Sequence, residues 1–317
     1  MDTFRMLSHL VTISNPGMKR NPLIPSTIAF IILFSVFFSF GCTLVPSGDQ
    51  FVSAGHRFSP ARSNGSCSEE FFSNTISDKK VILEGLSPNY ISMLNWNIYK
   101  GNSSGWRDDF ASYSRSKDII LLQEAPLNEE MLNILNRSRL FWNFNSAFKY
   151  QGTEFGVMTA SSTQPLGSCG TRQDEPLIGL PKTIIISSYA IANFPKKLLV
   201  ANIHGINITL GTGAYREQIE SLHNILQHHD GPIILAGDFN NWTAERKKII
   251  DNLIGELSLT MLPFENENRT IIFGDPVDHI LYRGLKPLSH YVHHVNSSDH
   301  NPITVAFRLY TAPSTNN

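Results

Sequence analysis

The sequence predicts an α/β protein in which two packed β-sheets carry helices on their outer faces. Strand patterns outnumber helix patterns along the chain, which favours sheets as the centre of the fold. A hydrophobic content of 41% over 317 residues is enough for a substantial core and excludes a disordered chain. The formal net charge of −1 provides no basic excess, which disfavours a tight, sequence-independent hold on nucleic acid.

The N-terminal region is set apart by its hydropathy. Residues 28–41 read IAFIILFSVFFSFG and follow the basic pair Lys19 and Arg20. This pattern fits a cleaved signal peptide, a retained transmembrane anchor with its positive side inside, or a lipoprotein signal that ends at Cys42. We therefore expect a signal or anchor segment over residues 1–44. The remainder is expected to be exported and membrane-anchored on the periplasmic or extracellular side, or secreted if the segment is cleaved.

The rest of the chain divides into three parts by composition. Residues 45–86 are mostly polar and predict a linker or lead-in, residues 87–310 predict one folded domain, and residues 311–317 predict a short tail. Cys67 and Cys169 are the cysteines that remain after the apolar segment. In an oxidising compartment they could pair, and two free thiols are the alternative.

The first half of the domain contains mainly strand patterns. A helix is expected over residues 127–140, opened by Pro126 at a first-turn position. Apolar runs predict strands over residues 90–98, 118–123, 155–159, 182–191 and 197–206.

Two helices alternate with strands in the second half. Apolar residues over 215–226 recur at helical spacing, until Gly231 and Pro232 stop the helix. A second helix is predicted over residues 243–257, capped by Thr243. Short strands are expected over residues 233–235, near residue 271, and over residues 277–282, 289–295 and 303–309.

The stretch PIILAGDFNNW, residues 232–242, carries the strongest signal for a site. Its apolar run predicts a buried strand, and Gly237 lets the chain turn sharply before Asp238. Along an extended chain Asp238 and Asn240 face one side, while Phe239 faces the other. A simple Asx turn would explain the same residues, so the stretch indicates a site only in combination with others.

Further polar clusters lie at other strand ends. Each alone could be a turn, a cap or a satisfied core histidine. An acid, an amide and a histidine at successive strand ends are more than turns require, which favours a shared site. The clusters are residues 95–97, 123–124, 202–204, 278–279 and 298–302.

Six motifs in order resemble those of a known superfamily. LNWNIYKG, LLQEAP, ANIHGIN, LAGDFNNW, PVDHILYRG and SSDHNPITVAFRL are similar to motifs of the endonuclease/exonuclease/phosphatase superfamily, which includes deoxyribonuclease I, abasic-site endonucleases, neutral sphingomyelinases and inositol polyphosphate 5-phosphatases. EPLIGLPK at residues 175–182 is similar to a small bacterial branch of uncharacterised substrate. The resemblance implies a deoxyribonuclease I-like, four-layered sandwich of two packed mixed sheets flanked by helices, with the site at one edge of the sheets.

The resemblance also implies a metal site. Hard oxygen ligands suit Mg²⁺, with Mn²⁺ as a substitute, and such an ion would neutralise charge on a phosphoryl group. By resemblance Glu124 is the main metal ligand, Asn97 assists it, and Asp299 contributes directly or through water. Tyr99 departs from the acidic residue that some abasic-site nucleases carry at this position. Asp174 stands where secreted nucleases have an arginine.

The same resemblance indicates the catalytic residues. Asp238 would orient or deprotonate the attacking water, and Asn240 would hold a phosphate oxygen or the substrate. Asp278 would orient His300, which acts as a base or stabilises the developing charge. His204 would approach from the other side as an acid or a phosphate donor.

These features together predict an exported, membrane-associated, metal-dependent phosphoesterase, in the first place a phosphodiesterase. Its substrate would be nucleic acid, a phospholipid or a small phosphate ester, and it would act as a monomer attached to the membrane by its N-terminal segment. The alternative is a catalytically silent, membrane-tethered binding or scaffold protein with the same fold. The presence of all eight site residues favours the enzyme.

Overall fold

A computed structural model describes residues 44–55, 58–67 and 85–310 of the chain. The predicted apolar segment at residues 28–41 and the predicted tail at residues 311–317 lie outside the described residues. Within the described ranges, no helix combines the length and the apolar character needed to cross a bilayer.

Strands make up most of the regular structure. The helices are α1 (Trp106–Ser114), α2 (Glu129–Arg137), α3 (Gly213–Leu226) and α4 (Ala244–Glu256). The strands are β1 (Phe51–Gly55), β2 (Phe58–Ser63), β3 (Ile91–Asn97), β4 (Ile119–Leu127), β5 (Phe141–Tyr150), β6 (Thr153–Ser161), β7 (Gly167–Asp174), β8 (Pro181–Ile191), β9 (Phe194–His204), β10 (Ile233–Asp238), β11 (Thr260–Met261), β12 (Ile271–Ile272), β13 (Asp275–Pro276), β14 (Asp278–Arg283), β15 (Leu285–Val292) and β16 (Ile303–Leu309).

The strands form two mixed sheets and a small hairpin. The first sheet has the order β15-β16-β3-β4-β6-β5-β1-β2, and the second has the order β11-β14-β10-β9-β8-β7. Strands β12 and β13 form the hairpin. β3 pairs with β4 in parallel, as β9 does with β10, and antiparallel strands flank both pairs. Parallel partners end at the same sheet edge, so each sheet brings two carboxyl ends together there.

Apolar side chains join the sheets and helices into layers. Between the sheets, Met93 and Leu121 of the first sheet belong to one buried cluster with Val200 and Ile234 of the second. The outer face of the second sheet packs against α3 and α4, and the outer face of the first sheet packs against α1 and α2. The layers are therefore helix, sheet, sheet and helix, which confirms the predicted four-layered sandwich.

The helix predicted over residues 127–140 is shorter and begins later. β4 continues through Pro126, and α2 begins only after Asn128, whose side chain accepts a hydrogen bond from the Met131 amide at 2.9 Å. The prediction that Pro126 opens this helix is wrong, because the fixed φ of proline also suits extended backbone and Asn128 supplies the cap.

Part of the predicted linker at residues 45–86 belongs to the first sheet. β1 pairs with both β2 and β5, and both Phe51 and Val52 are buried. The sequences FVSAG and FSPARS have small and polar residues in place of apolar alternation. Composition alone therefore predicts a linker where pairing to a neighbouring strand produces order.

The sequence pattern also does not predict α1, β5 or β7. In β5 the buried Asn143 donates to the Ser168 hydroxyl at 2.9 Å, and the buried Asn145 donates to the Thr171 carbonyl at 2.9 Å. Ser168 and Thr171 both lie in β7. β5 and β7 belong to different sheets, so these hydrogen bonds link the two sheets. Asparagine and serine are typical of turns, so the sequence pattern alone does not predict strands that contain them.

Cys67 and Cys169 form a disulfide, the first of the two alternatives left open by the sequence. Their Cα atoms are 5.0 Å apart and their positions are 102 residues apart in the chain. Cys169 lies in β7 and is buried against the core between the second sheet and its helices. The bridge therefore ties the segment after β2 to the second sheet.

Candidate active site

The polar residues predicted at strand ends meet at one edge of the two sheets. In the second sheet, Asp238 pairs in register with His204 on one side and with Asp278 on the other. The elements that contribute are the ends of β3 (Asn97), β9 (His204) and β10 (Asp238), the middle of β4 (Glu124), the start of β14 (Asp278) and the loop before β16 (Asp299 and His300).

Asp238 lies at the centre of this cluster and is buried. Asn97 donates a hydrogen bond to its Oδ2 at 3.1 Å. The Nε2 atoms of His204 and His300 lie 3.6 Å and 3.8 Å from the same oxygen. Burial raises the pKa of Asp238 well above its usual range, partly opposed by His300. Asp238 is therefore a better proton acceptor than an exposed carboxylate.

His300 is held in place through both its ring and its backbone. Its Nδ1 lies 2.7 Å from Oδ2 of Asp278, and its backbone carbonyl accepts a hydrogen bond from the Trp96 indole at 2.8 Å. Burial lowers the pKa of His300, but Asp278 and Asp238 outweigh burial and raise that pKa to about 10. The imidazole is therefore a cation at neutral pH, held between two carboxylates.

Glu124 lies on a bulge of β4 and faces a lysine. The pairing of β4 with β6 is irregular between Leu122 and Ala125, and Glu124 has a left-handed backbone with φ of 52°. Lys100 forms an ion pair with Oε2 of Glu124. Burial alone would raise the pKa of Glu124, but the nearby cations, Lys100 first among them, hold this pKa far below its usual range. Glu124 is therefore ionised.

His204 pairs with a second lysine. Its Nε2 lies 2.8 Å from Nζ of Lys182 and 3.9 Å from Oε1 of Glu124. An ammonium group can only donate, so Nε2 accepts the hydrogen bond. Burial, and then Lys182, lower the pKa of His204 well below its usual range. His204 is therefore neutral.

Asn240 and Asp299 complete the predicted set. The side-chain amide of Asn240 donates to the Gly205 carbonyl at 3.1 Å, and its backbone N–H donates to Oδ1 of Asp238 at 3.1 Å. Asn240 therefore holds the loop after β9 in place. Phe239 is buried in the core beneath α3 and α4, as alternation predicts. Asp299 is the exposed member of the set, and desolvation of its carboxyl raises its pKa, although His300 opposes the effect.

A buried polar network lies behind the site and joins the two sheets. Gln123 of β4 donates to Asn95 of β3 at 3.0 Å and to Asn202 of β9 at 2.6 Å. Asn202 donates in turn to the Met158 carbonyl at 2.9 Å. These side chains replace apolar contacts next to the site, so the two sheet edges have one fixed relative position.

Two buried charged residues hold the loops that carry the site. Glu175 accepts hydrogen bonds from the loop after β9, including one from the Ile208 amide at 2.9 Å. Arg246 of α4 donates to the Ile206 carbonyl at 3.0 Å and to the Asn240 carbonyl at 2.7 Å. Both loops are therefore fastened to the scaffold from behind.

Four of the ten non-glycine residues with positive φ in the described part of the chain lie in this region. Tyr99, Lys100, Glu124 and Asn240 all have positive φ, between 49° and 59°, although none is glycine. Left-handed backbone of this kind persists only where the surrounding structure holds it, and it clusters at functional sites. The strain therefore supports a functional role for this edge of the sheets.

Lys100 and Lys182 are the residues that the sequence patterns did not single out as site residues. Lys100 lies three positions after Asn97 in NIYKG, and Lys182 is the last residue of EPLIGLPK. Both lie inside motifs, but a lone lysine in a sequence is far more often a solvated surface residue. Only the three-dimensional contacts with Glu124 and His204 distinguish them.

The donors at this edge fit a divalent cation by type. In the described parts of the chain, no three His, Cys, Asp or Glu side chains are already grouped as a metal-binding cluster. Mg²⁺, however, keeps several waters and needs only one or two protein carboxylates. Glu124, Asn97 and Asp299 offer hard oxygen atoms of this kind, and Glu124 is ionised. The residues present therefore fit Mg²⁺ or Mn²⁺ as ligands.

A four-layered sandwich with carboxylates, imidazoles and lysines around one sheet edge has the chemical equipment of a hydrolase. Residues 94–300 match the family model described as Endonuclease/Exonuclease/phosphatase family. The chain belongs to this family, as its six motifs predict, and membership indicates a hydrolase of the phosphoesterase and nuclease type.

The chain is also similar to two bacterial sequences and to two solved structures, and the structures bear on the fold. A UPF0294 protein of Vibrio campbellii is 39% identical over 69% of this chain and 78% of its own length. Another, from Vibrio parahaemolyticus, is 37% identical over the same shares. The human Nocturnin catalytic domain has a similar fold, with a TM-score of 0.56 and 19% identity over 71% of this chain and 96% of that domain. An endonuclease/exonuclease/phosphatase from Beutenbergia cavernae matches with a TM-score of 0.54 and 15% identity over 71% of this chain and 73% of its own.

Proposed function

We propose that this protein is a metal-dependent phosphodiesterase that works outside the cytoplasm at a membrane surface. The observation that carries the proposal is the series Asp278, His300 and Asp238. In this series, one imidazole lies 2.7 Å from the first carboxylate and 3.8 Å from the second. Paired carboxylates with a histidine between them supply both a base and a fixed positive charge in one buried site.

Asp238 is the residue best suited to orient and deprotonate the attacking water. Burial raises its pKa, and a base whose pKa approaches the working pH accepts a proton most effectively. Asn97 fixes one oxygen of this carboxylate through a hydrogen bond of 3.1 Å. The water would then be held in one place for in-line attack on phosphorus.

His300 supplies positive charge rather than a base. With a pKa raised to about 10, its imidazole is protonated at neutral pH and can donate a hydrogen bond to a phosphoryl oxygen. Asp278 keeps the ring in this protonation state and orientation. Of the two roles that the family resemblance allows for His300, charge stabilisation is therefore the one we assign.

At the end of β9, His204 positions the ammonium group of Lys182, which is the cationic hydrogen-bond donor. His204 is neutral and accepts from Lys182 at 2.8 Å, so His204 has no proton on Nε2 to give to a leaving group. Lys182 carries the charge that would contact the phosphate. We therefore assign His204 the role of positioning Lys182 and not the role of an acid.

Glu124, Asn97 and Asp299 are the residues that would hold Mg²⁺, with Mn²⁺ as a substitute. When bound, such an ion neutralises charge on the phosphoryl oxygens and stabilises the leaving alkoxide. Glu124 is the main candidate because its carboxylate is ionised and only Oε2 forms an ion pair with lysine.

We assign the substrate to the phospholipids, with nucleic acid and small phosphate esters as the other classes to be tested. The apolar segment at residues 28–41 supports export and attachment to a membrane, which would bring the domain close to lipid headgroups. The formal net charge of −1 does not favour strong binding to polyanionic nucleic acid. The active form is proposed to be the monomer.

Hydrolysis assays with the full-length chain in mild detergent test this proposal. The substrates are phosphatidylcholine vesicles, plasmid DNA, p-nitrophenyl phosphate and bis(p-nitrophenyl) phosphate, each with Mg²⁺, with Mn²⁺ and with EDTA. Metal-dependent release of the phosphorylated headgroup from vesicles is expected. Activity confined to DNA would overturn the lipid assignment. Absence of turnover on every ester would favour the catalytically silent scaffold.

A further inference from the structure

The contact between Lys100 and Glu124 places a cation of the protein on the carboxylate best suited to bind a metal. Nζ of Lys100 forms an ion pair with Oε2 of Glu124. The side chains of Lys100 and Glu124 retain only 22% and 18% of their surface. The ion pair is therefore largely shielded from bulk water. Shielded ion pairs contribute more free energy than pairs at an exposed surface.

The backbone of both partners is adapted to this contact. Tyr99, Lys100 and Gly101 follow β3 with φ of 50°, 59° and 66°, so three successive residues have left-handed backbone. Glu124 has the same backbone type on the bulge of β4. Neither Tyr99 nor Lys100 adopts this conformation easily, since a side chain raises its energy. Strain on both sides of one ion pair indicates that the position of Lys100 serves a purpose.

Two cations compete for one carboxylate in this arrangement. A divalent ion on Glu124 would be repelled by the ammonium of Lys100, so metal binding has to weaken or displace the ion pair. A lysine has a flexible stem and a compact charge with three donors, which lets it exchange partners. An anion bound beside the metal would provide Lys100 with a new partner.

We propose that Lys100 is an exchangeable counter-ion that couples metal binding to phosphate binding. In the free protein Lys100 neutralises Glu124, and in the complex it leaves Glu124 to the metal and binds a phosphoryl oxygen of the substrate. Phosphate therefore increases metal affinity, and by thermodynamic reciprocity the metal increases phosphate affinity by the same factor. This inference rests on the proposed function, since it takes Glu124 as a metal ligand.

Calorimetric titration of the full-length protein with Mg²⁺, with and without inorganic phosphate, tests the inference. Lys100→Met removes the charge and keeps most of the length of the side chain, and Lys100→Arg keeps the charge. Lys196→Met is the matched control, because it removes an ammonium that pairs with Asp230 at 2.8 Å on the exposed surface. Circular dichroism of each variant checks that the fold is retained.

The expected result has two parts. Without phosphate, Lys100→Met binds Mg²⁺ roughly tenfold more tightly than the wild type, because one repelling charge is gone. Phosphate tightens Mg²⁺ binding to the wild type, Lys100→Arg and Lys196→Met, and this effect is lost in Lys100→Met. Solution pairing of Mg²⁺ with phosphate affects all four proteins equally and is removed by the comparison.

Other outcomes overturn the inference in distinguishable ways. If the wild type binds Mg²⁺ and hydrolyses esters, but Lys100→Met has unchanged or weaker Mg²⁺ affinity, Lys100 is no competitor and only the inference fails. If the phosphate effect persists in Lys100→Met, the exchange of partners is wrong. If the wild type binds no Mg²⁺ at all, the metal dependence in the proposed function fails together with the inference.

Discussion

At the scale of single residues, the charge of His300 depends on one carboxylate. Oδ2 of Asp278 lies 2.7 Å from Nδ1 of His300 and is a principal cause of the raised pKa of that imidazole. Asp278→Asn is expected to lower the pKa of His300 from about 10 toward its ordinary value and to reduce hydrolysis by roughly 100-fold or more. The pH at which activity declines on the alkaline side should move to lower pH.

NMR titration of His300 and the pH profile of hydrolysis measure these two effects. Asp251→Asn, an exposed position on α4, is the control and should change neither. Full activity of Asp278→Asn with an unchanged profile would contradict the role assigned to the pair.

His229 provides a pH-dependent contribution to stability away from the site. It is 3% exposed, and its Nε2 lies 3.0 Å from the Lys197 carbonyl and 3.2 Å from the Pro232 carbonyl. Burial lowers its pKa from 6.5 to about 4. The unfolded chain therefore takes up a proton below about pH 6.5 that the folded protein resists until about pH 4, so stability is lost as the pH falls through this window.

His229→Gln should remove this dependence, because the glutamine amide donates a similar hydrogen bond and does not titrate. The difference in unfolding free energy between wild type and variant is expected to change by up to about 3 kcal/mol between pH 7 and pH 4. Urea unfolding at several pH values measures it. Parallel pH curves for the two proteins would contradict the assignment of a neutral, buried imidazole.

At the scale of elements, Gly237 shows why β10 can deliver Asp238 to the site. Its φ is 150°, and a Cβ added there would lie 1.9 Å from the Ile203 carbonyl oxygen of β9. Gly237→Ala is expected to destabilise the protein by about 3 kcal/mol and to displace Asp238. Gly255→Ala in α4 is the matched control, since nothing lies within 4 Å of an added Cβ there.

Denaturant unfolding of both variants measures the contrast. Gly255→Ala should stabilise the protein slightly, by about 0.5–1 kcal/mol, because alanine favours helix. Equal effects of the two substitutions would show that the close approach of β9 and β10 is not what requires glycine.

The elements that the sequence predicts well are those whose pattern follows from a uniform environment, such as a strand that is buried on both faces. β9 and β10 contain the apolar runs at residues 198–201 and 233–236, because both faces of the second sheet are covered there, and both strands overlap the ranges that the sequence predicts. α4 begins after Thr243, whose side chain accepts from the Arg246 amide at 3.2 Å, as its cap residue predicts. The sequence pattern does not predict β5, because its buried asparagines form their hydrogen bonds with the other sheet, and these bonds exist only once the sheets have packed.

At the scale of the whole molecule, the disulfide between Cys67 and Cys169 links two distant parts of the chain. It spans 102 residues, so it restricts the unfolded chain strongly. Reduction is expected to lower the free energy of unfolding by about 4 kcal/mol and to lower the thermal midpoint. Thermal unfolding with and without dithiothreitol measures the effect, with the Cys67→Ser/Cys169→Ser double variant as the control that reductant should leave unchanged. An unchanged midpoint for the reduced wild type would contradict a stabilising role.

The convergence of the candidate site residues was predictable from the sequence, but their charge balance was not. His204 and Asp238 lie side by side because the parallel strands β9 and β10 end at a common edge, and packing of the two sheets brings Asn97 of β3 to Asp238. The ion pairs of Lys100 and Lys182 depend on a strained turn and on the start of β8, and local sequence patterns do not specify such contacts. For this reason the residue set could be proposed from motifs, whereas the protonation states of His204 and His300 required the structure.

One comparison decides whether this edge of the sheets is a metal-dependent phosphoesterase site. Hydrolysis of bis(p-nitrophenyl) phosphate with Mg²⁺ is measured for the wild type, for Glu124→Gln, and for Glu220→Gln at an exposed position on α3. We expect EDTA-sensitive turnover in the wild type and in Glu220→Gln, and a loss of at least about 100-fold in Glu124→Gln together with its Mg²⁺ affinity. Metal-dependent turnover that survives in Glu124→Gln would contradict the assignment of this residue and of the site built around it.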